Sequence, residues 1–581
     1  MPDQDTQHIR FEPNENPPPQ LATGLAAQLV VLTISGIVIT PVIVIQAANI
    51  GEPFLSWALF CVLLISGSTT ILQAVRIGRF GSGHVLLMGT SGAFIAICIA
   101  ALMNGGPALM CTLIIVSSIM QFLLAFKLSL LRRIVTPTVA GIILMLIPVT
   151  VFPIVFELLS NVEERHLAFN APFVAAITIL VSAGLAMRAT GMLRLWTPLL
   201  GLICGTLVAA LLGMFDTAPI REAAWLGIPT WAWPGLDLSF SPAFWALVPA
   251  FIFVTVVGLI ETIGDSVAIQ RVSQRQPRAP DYRVVQGAVG ADGVGNLLSG
   301  VLGTVPNTTY STSVAVTELT GVASRRIGIY VGVIFLCLAF LPKIKGVILA
   351  LPNPVMGGYL TIVLAMLFIV GMKLVLRDGL DYRKGIITGV SLWLGIGFQY
   401  NLIFPGLVES TGFWGTIIQN GMTIGGLVAI GLTLCWEALG SRRHHMQTEL
   451  AMANLPQLNE FLSTTSKKWR WNEASVQRLQ QVNEELLISL IDNNEGDAEQ
   501  SRDLRVSIRA DAGRLELEYI AAVADSNIED RAMFVEDDAS SEISAELSIK
   551  LLKHLATEIR HQKYFNMDVV NIRIDPIPEA A

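Results

Sequence analysis

Charged residues are scarce in this chain: they make up 14% of its 581 residues, while hydrophobic residues make up 53%. Soluble globular domains carry about 25% charged residues, so this composition excludes a chain whose whole surface faces water. The charge is also unevenly placed, because residues 446–581 hold 25 of the 45 acidic residues and only 14 of the 38 basic ones. We therefore expect a polytopic membrane protein with a soluble C-terminal part.

Cysteine motifs and a cleavable leader are also lacking. The six cysteines stand singly in apolar stretches with no Cys-x-x-Cys spacing, so neither a disulfide framework nor a zinc site is indicated. Residues 1–24 are polar and proline-rich, without the regions of a signal peptide, and are predicted to remain as a cytoplasmic tail. There is no catalytic motif, Walker loop or basic aromatic patch, so we expect no enzyme activity, bound cofactor or nucleic-acid partner.

Long apolar runs dominate what the chain does contain. A helix needs about 20 apolar residues to cross the hydrocarbon core of a bilayer, and most of these runs reach that length. Short cytoplasmic loops collect Lys and Arg; with the N-terminus inside, the inward loops hold 19 of these residues and the outward loops four. This asymmetry predicts 14 transmembrane segments within residues 25–440 of a plasma-membrane protein, with both termini cytoplasmic. The segments lie near residues 26–48, 57–75, 84–103, 107–126, 134–158, 171–187, 195–214, 242–268, 284–302, 309–322, 327–342, 355–372, 385–402 and 417–438.

The eighth segment carries two acids, Glu261 and Asp265, near its end. An acid inside a membrane span costs about 3 kcal/mol or more, so it is kept where it faces a cavity or a partner. Spaced i and i+4, the two side chains lie on one face of a helix. That face is predicted to bind substrate, and the two close acids, which titrate as a unit, to carry a coupling proton. A structural pair capped by hydroxyl groups is the alternative.

Two segments are unsuited to continuous helices, and they occupy corresponding places in two halves of seven. The third contains Gly89-Thr-Ser-Gly92, and the tenth is preceded by Gly303-Thr-Val-Pro-Asn-Thr-Thr309. Glycine and proline in these numbers break helices, and broken spans occur where protein or a water-filled cavity satisfies the backbone. A matched pair of broken spans predicts a binding site near the middle of the bilayer. Backbone N–H groups near Thr90, Gly92 and Thr309 are predicted to bind the ligand there. Tight helix packing is the alternative for the glycines.

These motifs resemble the nucleobase/ascorbate transporter family, the nucleobase:cation symporters of the xanthine and uracil permease type. The resemblance covers about residues 25–440. It implies two inverted repeats of seven spans, with a core domain of spans 1–4 and 8–11 and a gate domain of spans 5–7 and 12–14. It also implies a homodimer in which the core moves against the gate to carry a nucleobase together with a cation, usually a proton. The matching runs are Glu261-Thr-Ile-Gly-Asp265, Ala291-Asp-Gly-Val-Gly-Asn-Leu-Leu-Ser-Gly300, Gly303–Thr309, Leu319-Thr-Gly-Val-Ala-Ser-Arg325 and Pro352-Asn-Pro-Val-Met-Gly-Gly358.

The chain departs from the family's signature in the tenth segment. That signature reads Gln, Glu or Pro, then Asn-x-Gly-x₄-Thr, whereas this chain has Thr312-Ser-Val-Ala315 and matches only at the final Thr-Gly. Thr312 and Ser313 stand where the signature has a side chain with a carboxamide or carboxyl group, and a hydroxyl cannot make the bidentate contact of a carboxamide. The sequence therefore predicts either that the ligand is different or that the side chain of another residue contacts the ligand. Glu318 shares a helical face with Ala315 and is a candidate for that residue; a solvated position is the alternative.

The sequence therefore predicts a secondary active transporter that imports a nucleobase, either a purine such as xanthine or urate, or uracil, with a proton or sodium ion. Glu261 is predicted to accept hydrogen bonds from adjacent ring N–H groups, and Phe94 to flank the ring. Asp265, Glu318 and Asp292 are candidates for ion coupling, although a structural bond to a neighbouring helix is equally open for Asp292. An anion exchanger of the sulfate-transporter type and a base-sensing receptor that signals through the tail are the alternative functions.

Residues 446–581 are predicted to form a cytoplasmic α/β domain with one antiparallel sheet. The run from Asn483 to Ser489 resembles the first helix of the ATP-binding fold of histidine kinases. However, Ser489 replaces the metal-binding asparagine and no glycine-rich lid follows, so a degenerate fold with a regulatory or dimerising role is expected. The predicted elements are helices at 473–491 and 542–563 and strands at 504–508, 515–519 and 569–574.

Overall fold

The computed structural model divides into two compact units. The membrane unit comprises Met1–Ser273 with Val284–Thr433, and the tail unit comprises Gln274–Arg283 with Leu434–Ala581. The structure describes residues 9–126, 128, 136–160, 169–276, 278–376, 379, 381–406, 418, 420–439, 443–469, 471–492, 503–511, 514–521, 544–564 and 567–576.

The first part of the chain is built from apolar helices. Within the described residues, eight helices are long and apolar enough to cross a membrane, or nine if the helices Arg325–Ala339 and Pro342–Leu349, bent by 79°, form one span. The chain is therefore a multi-pass membrane protein. The helices are Pro19–Ala47 (α1), Phe54–Val75 (α2), Ile95–Phe126 (α3), Pro137–Ser160 (α4), Asn170–Arg188 (α5), Gly191–Leu211 (α6), Ala218–Glu222 (α7), Pro242–Val272 (α8), Tyr282–Leu302 (α9), Thr312–Thr320 (α10), Arg325–Ala339 (α11), Pro342–Leu349 (α12), Asn353–Leu376 (α13), Tyr382–Gln399 (α14) and Gly421–Leu439 (α15).

The third and fourth predicted segments are joined without a loop. Helix α3 continues through both, with a break at Gly106, where φ is 74° and ψ is −171°. Glycine adopts this positive φ without a steric penalty, and Pro107 directly after it is suited to the first turn of the helix that follows. A single residue therefore separates the two helical pieces.

The third and tenth segments are interrupted, as predicted, and the interruptions meet. Two short strands, Leu87–Thr90 (β1) and Asn307–Tyr310 (β2), pair antiparallel. This pairing satisfies backbone groups that an apolar environment would leave without partners. Gly89 is required by the close approach, because a Cβ there would lie 2.7 Å from Cζ of Tyr310. Helix α10 then begins at Thr312, directly after β2.

The tail unit contains a five-stranded antiparallel sheet with helices on one face. The strand order is β3-β4-β5-β7-β6, and the alternate side chains that face the helices form an apolar core with leucines from the helices. Successive side chains of a strand point to opposite faces of the sheet, so a sheet that is covered on one face alternates between apolar and polar residues. The strands are His444–Glu449 (β3), Asp503–Asp511 (β4), Arg514–Ala521 (β5), Glu558–Lys563 (β6) and Asp568–Ile574 (β7), and the helices are Leu455–Lys468 (α16), Glu473–Asp492 (α17) and Ser544–Leu555 (α18).

The prediction of one helix over 542–563 is wrong after Leu555. Helix α18 ends there, and β6 pairs antiparallel with β7 over residues 558–563. The backbone hydrogen bonds to β7 outweigh the weak local preference for a helix, since tertiary context routinely overrides propensity. Strand β3, at one edge of the sheet, was not predicted, and it begins before the predicted domain boundary at 446.

Candidate functional site

Three acids lie close together among the apolar helices. Glu261 and Asp265 stand one turn apart on α8, and Asp292 stands on the next helix, α9. Thr262, between the first two, donates a hydrogen bond to Oδ2 of Asp292 over 2.9 Å. Intramembrane acids of this kind mark functional sites. In the described part of the chain, no three His, Cys, Asp or Glu residues form a group that would hold a metal ion.

Asp265 is fully engaged by the broken span. Its Oδ2 accepts from the Thr309 hydroxyl over 2.8 Å, and its Oδ1 accepts from the Ser311 hydroxyl over 2.6 Å. Both donors lie at the junction of β2 and α10, so the carboxylate fastens this junction to α8. Asp265 is 8% exposed. Its immediate role is therefore to position the broken span.

Asp292 belongs to a buried polar network. Its Oδ2 accepts from Nε2 of Gln121 over 2.8 Å as well as from Thr262. The network continues from Asn296 Nδ2 to Gln121 Oε1 over 2.8 Å and from the Asn307 backbone N–H to Asn296 Oδ1 over 2.6 Å. It thus joins α3, α8, α9 and β2, although Oδ1 of Asp292 has no hydrogen-bond partner among the described residues.

Glu261 differs from both neighbours. Its side chain is only half-buried, and no described residue donates a hydrogen bond to it or forms an ion pair with it. A buried acceptor without a partner is costly, whereas a half-buried one is open to water or a ligand. Glu261 is therefore the carboxylate that this cluster leaves free.

A buried hydroxyl group and an aromatic ring lie one turn before Glu261. A Cβ at Gly258 would lie 3.9 Å from Oγ1 of Thr308 and 4.0 Å from Cε2 of Phe94. Because residues i and i+3 are neighbours on a helix surface, these groups border the same face of α8 as Glu261. The Thr308 hydroxyl is buried and has no partner among the described residues. Sequence reasoning missed Thr308, although it stands beside Thr309 in the broken segment.

The predicted residues of the third segment have different environments. Thr90 is 2% exposed, and its hydroxyl donates to the Gly36 carbonyl of α1 over 3.0 Å while its own carbonyl accepts from Tyr310 Oη over 2.9 Å. The Thr90 side chain is thus used to hold β1 in place. Gly92, in contrast, borders open space, since nothing lies within 4 Å of a Cβ built there.

The predicted residues of the tenth segment also differ in their environments. Ser313 is buried, and its hydroxyl donates to the Tyr310 carbonyl over 2.8 Å. Thr312 is half-buried at the start of α10, where the first N–H groups of a helix have no partner within it. Glu318 is exposed, and no hydrogen bond or ion pair joins it to the described residues. The structure therefore does not bring Glu318 to the other acids.

The chain is similar in sequence to known permeases. The sequence model of the xanthine/uracil permeases, a permease family, matches residues 22–402. The xanthine permease XanQ of Escherichia coli (strain K12) is 27% identical over 441 residues, which are 73% of this chain and 93% of XanQ. The nucleobase transporter PlUacP of Paenibacillus larvae is 27% identical over 424 residues, covering 70% of this chain and 92% of PlUacP.

Among solved structures, that of SLC26A9 aligns with this chain at 13% identity and a TM-score of 0.48, covering 75% of this chain and 67% of that chain. A similarity of this size carries no argument about function. The family model covers more than half of the 581 residues, including all three acids and both short strands. The chain belongs to the xanthine/uracil permease family, and it is a membrane transporter and not an enzyme.

Proposed function

We propose that this chain imports a nucleobase, a purine such as xanthine or urate, or uracil, in symport with a proton. The observation that carries the proposal is the difference between the three acids. Asp265 and Asp292 are engaged by hydroxyl and amide donors, whereas Glu261 is half-buried and accepts no hydrogen bond from the described residues. An acid that the protein leaves without a donor is suited to a ligand that brings donors.

The chemistry of a nucleobase fits this site. Its ring N–H groups are donors that a carboxylate accepts in charge-assisted bonds, which is the role we assign to Glu261. The Thr308 hydroxyl and the first N–H groups of α10 supply donors for the ring carbonyls. Phe94, whose ring centroid lies 6.2 Å from that of Phe251, supplies an aromatic surface for the flat face of the base.

The proposed coupling uses the acids on α8. Two carboxyl groups one turn apart titrate as a unit, so a proton taken up from one side of the membrane stays with Glu261 and Asp265 while the base is bound. Asp265 holds the junction of β2 and α10 through Thr309 and Ser311. A change in its charge therefore alters the hold on the broken span, which links proton binding to the movement of that span.

The proposed architecture follows the family. The 14 predicted segments form two inverted repeats of seven, and the core, with spans 1–4 and 8–11, moves against the gate in a homodimer in the plasma membrane. Both termini are cytoplasmic in this arrangement, which is supported by the 19 Lys and Arg residues in the inward loops against four in the outward ones.

Uptake by the Glu261→Gln variant tests the proposal. The amide cannot accept two hydrogen bonds from adjacent ring N–H groups or carry a proton, so accumulation of labelled xanthine should fall at least about tenfold. Glu157→Gln is the matched control, because Glu157 is exposed on α4. Competition by urate, uracil, guanine and hypoxanthine identifies the base, and sulfate uptake separates the anion-exchanger alternative. Unchanged accumulation by Glu261→Gln would contradict the proposal.

A further inference from the structure

The tail unit contains a short piece of chain that is distant in sequence. Residues Gln274–Arg283 group with Leu434–Ala581 rather than with the helices on either side. These residues connect α8, which ends at Val272, to α9, which begins at Tyr282. The connection between the two acid-bearing helices is therefore part of the tail unit, and we name it the α8–α9 connection.

Specific contacts hold the α8–α9 connection to the hairpin of β6 and β7. Nε2 of Gln562 donates to Oη of Tyr282 over 3.1 Å, and Oε1 of Gln562 accepts from Oη of Tyr564 over 3.1 Å. The rings of Tyr282 and Tyr564 have centroids 5.2 Å apart at 48°. Both ends of the Gln562 amide are thus used, and an amide with two partners is fixed in one orientation.

The hairpin side of this contact is ordered by its own bonds. Tyr564 is 3% exposed, and its N–H donates to the Met567 carbonyl over 2.9 Å at the end of the hairpin. Strand β6 is the edge strand of the sheet, and an edge strand is where a sheet offers free groups to another segment. The side chains that contact the connection are therefore held by bonds within the hairpin itself.

The connection side is also ordered. Asp281, directly before α9, accepts the Arg283 backbone N–H over 2.9 Å and pairs with the Arg283 guanidinium over 2.8 Å. This is a side-chain cap at the first turn of a helix. Since Tyr282 is the first residue of α9, a contact at its hydroxyl acts directly on the helix that carries Asp292.

We propose that Gln562 and Tyr564 of the C-terminal domain bind the α8–α9 connection and thereby slow the movement of the two acid-bearing helices during transport. The binding itself is independent of the transported ligand, whereas its effect on rate rests on the proposed carrier function. A contact changes a conformational equilibrium only if it favours one of the conformations. The contact between Gln562 and Tyr282 stabilises the conformation in which it is made, so its free energy opposes the movement of α8 and α9 away from that conformation. Loss of the contact removes this cost, and transport becomes faster.

The first measurement is amide hydrogen exchange in the full-length protein. Gln562→Ala should raise the exchange rate of residues 274–283 by about tenfold, the effect expected when hydrogen bonds to a half-buried partner are lost. Gln447→Ala is the matched control, because Gln447 is exposed on β3 at the opposite edge of the same sheet. Protection of β5 amides in both variants shows that the sheet remains folded. Equal exchange of 274–283 in the two variants would overturn the contact.

The second measurement is the initial rate of xanthine uptake. Gln562→Ala should raise the maximal rate about two- to fivefold with an unchanged KM, and Tyr282→Phe, which keeps the ring and loses only the hydroxyl, should give a smaller rise in the same direction. Tyr382→Phe is the control, since Tyr382 is 85% exposed at the start of α14. Faster exchange without faster uptake would overturn the regulatory role. Absence of uptake of xanthine, urate and uracil in the wild type would contradict the carrier function alone, because the exchange measurement still reports the contact.

Discussion

The acidic side chains of the two units have different kinds of partner. In the tail unit, Glu518 pairs with Arg443 over 3.5 Å, and Arg573 bridges Glu516 and Glu558 over 3.0 Å each. In the membrane unit, none of the three clustered acids has a cation as partner among the described residues; hydroxyl and amide groups donate to Asp265 and Asp292, and no described residue donates to Glu261. Ion pairs near water contribute only about 0–1 kcal/mol each. An acid cluster without a cation is instead suited to a ligand that supplies donors or protons.

This comparison also separates the acids within the membrane unit. Asp265 and Glu261 are one turn apart on the same helix, yet only Asp265 is bonded to the broken span. The role of an intramembrane acid therefore depends on which donors the fold directs at it. Substitutions at Asp265, Tyr519 and Glu318, ordered by expected effect, test the comparison between and within the two units.

The largest structural effect is expected for Asp265→Ala. It removes the acceptor of two hydroxyl groups, those of buried Thr309 and exposed Ser311; the buried group left unpaired costs about 1–3 kcal/mol, and the lost bond from Ser311 adds about 1 kcal/mol. Thermal unfolding in detergent should show a loss of about 2–4 kcal/mol, together with loss of uptake. Asp265→Asn keeps one carbonyl acceptor and should lose less stability. Wild-type stability of Asp265→Ala would show that the carboxylate does not hold the junction.

A smaller effect is expected in the tail unit for Tyr519→Phe. Oη of Tyr519 donates to Oδ1 of Asn483 over 2.8 Å, and the side chain is fully buried. Loss of this bond should destabilise the domain by about 1 kcal/mol, measured by hydrogen exchange of β4 and β5 amides in the full-length protein. Wild-type protection of these amides in the variant would contradict the assigned bond.

Tyr519 also predicts that the stability of the tail unit depends on pH. Burial raises the pKa of the Tyr519 phenol above its usual value, so the folded state binds this proton more tightly than the unfolded state. The stabilisation is fully present below the unfolded pKa of about 10 and is lost as the pH rises above it. Tyr519→Phe should lack this alkaline loss. An identical decline in both proteins at high pH would assign it to another group.

The smallest effect is expected for Glu318→Gln. This substitution is the same in chemistry as Glu261→Gln, but Glu318 is exposed and forms no hydrogen bond or ion pair with the described residues. Surface substitutions of this kind change stability by about 0.5 kcal/mol or less, so initial uptake rates should stay within about twofold of wild type. A loss as large as that of Glu261→Gln would place Glu318 in the transport cycle.

Local sequence patterns were sufficient for much of the membrane unit. Apolar length located the eight helices that are long enough to cross a membrane, because lipid requires a helix of a given length. The glycines near Gly89 and the Gly303–Thr309 run identified the two broken segments, since a helix does not tolerate such a composition. The charge of Glu261 and Asp265 in an apolar run indicated the candidate site. Each of these signals is contained within a few consecutive residues.

The remaining features depend on contacts between distant residues. Helical periodicity placed Glu318 on the face of Ala315, but only the tertiary packing leaves its side chain exposed. The donors that engage Asp265 come from 44 and 46 residues away in sequence. Strand β6 was mistaken for helix because its partner β7, rather than its own residues, determines its conformation.

The central claim is that Glu261 is the carboxylate that binds the ligand. Equilibrium binding of labelled xanthine and urate to the purified protein tests it without relying on transport. The account predicts that Glu261→Gln weakens binding of the recognised base by about 10- to 100-fold, the equivalent of about 1.5–3 kcal/mol for hydrogen bonds to a charged group, while Glu157→Gln binds like wild type. Equal affinity of Glu261→Gln and wild type would contradict the account.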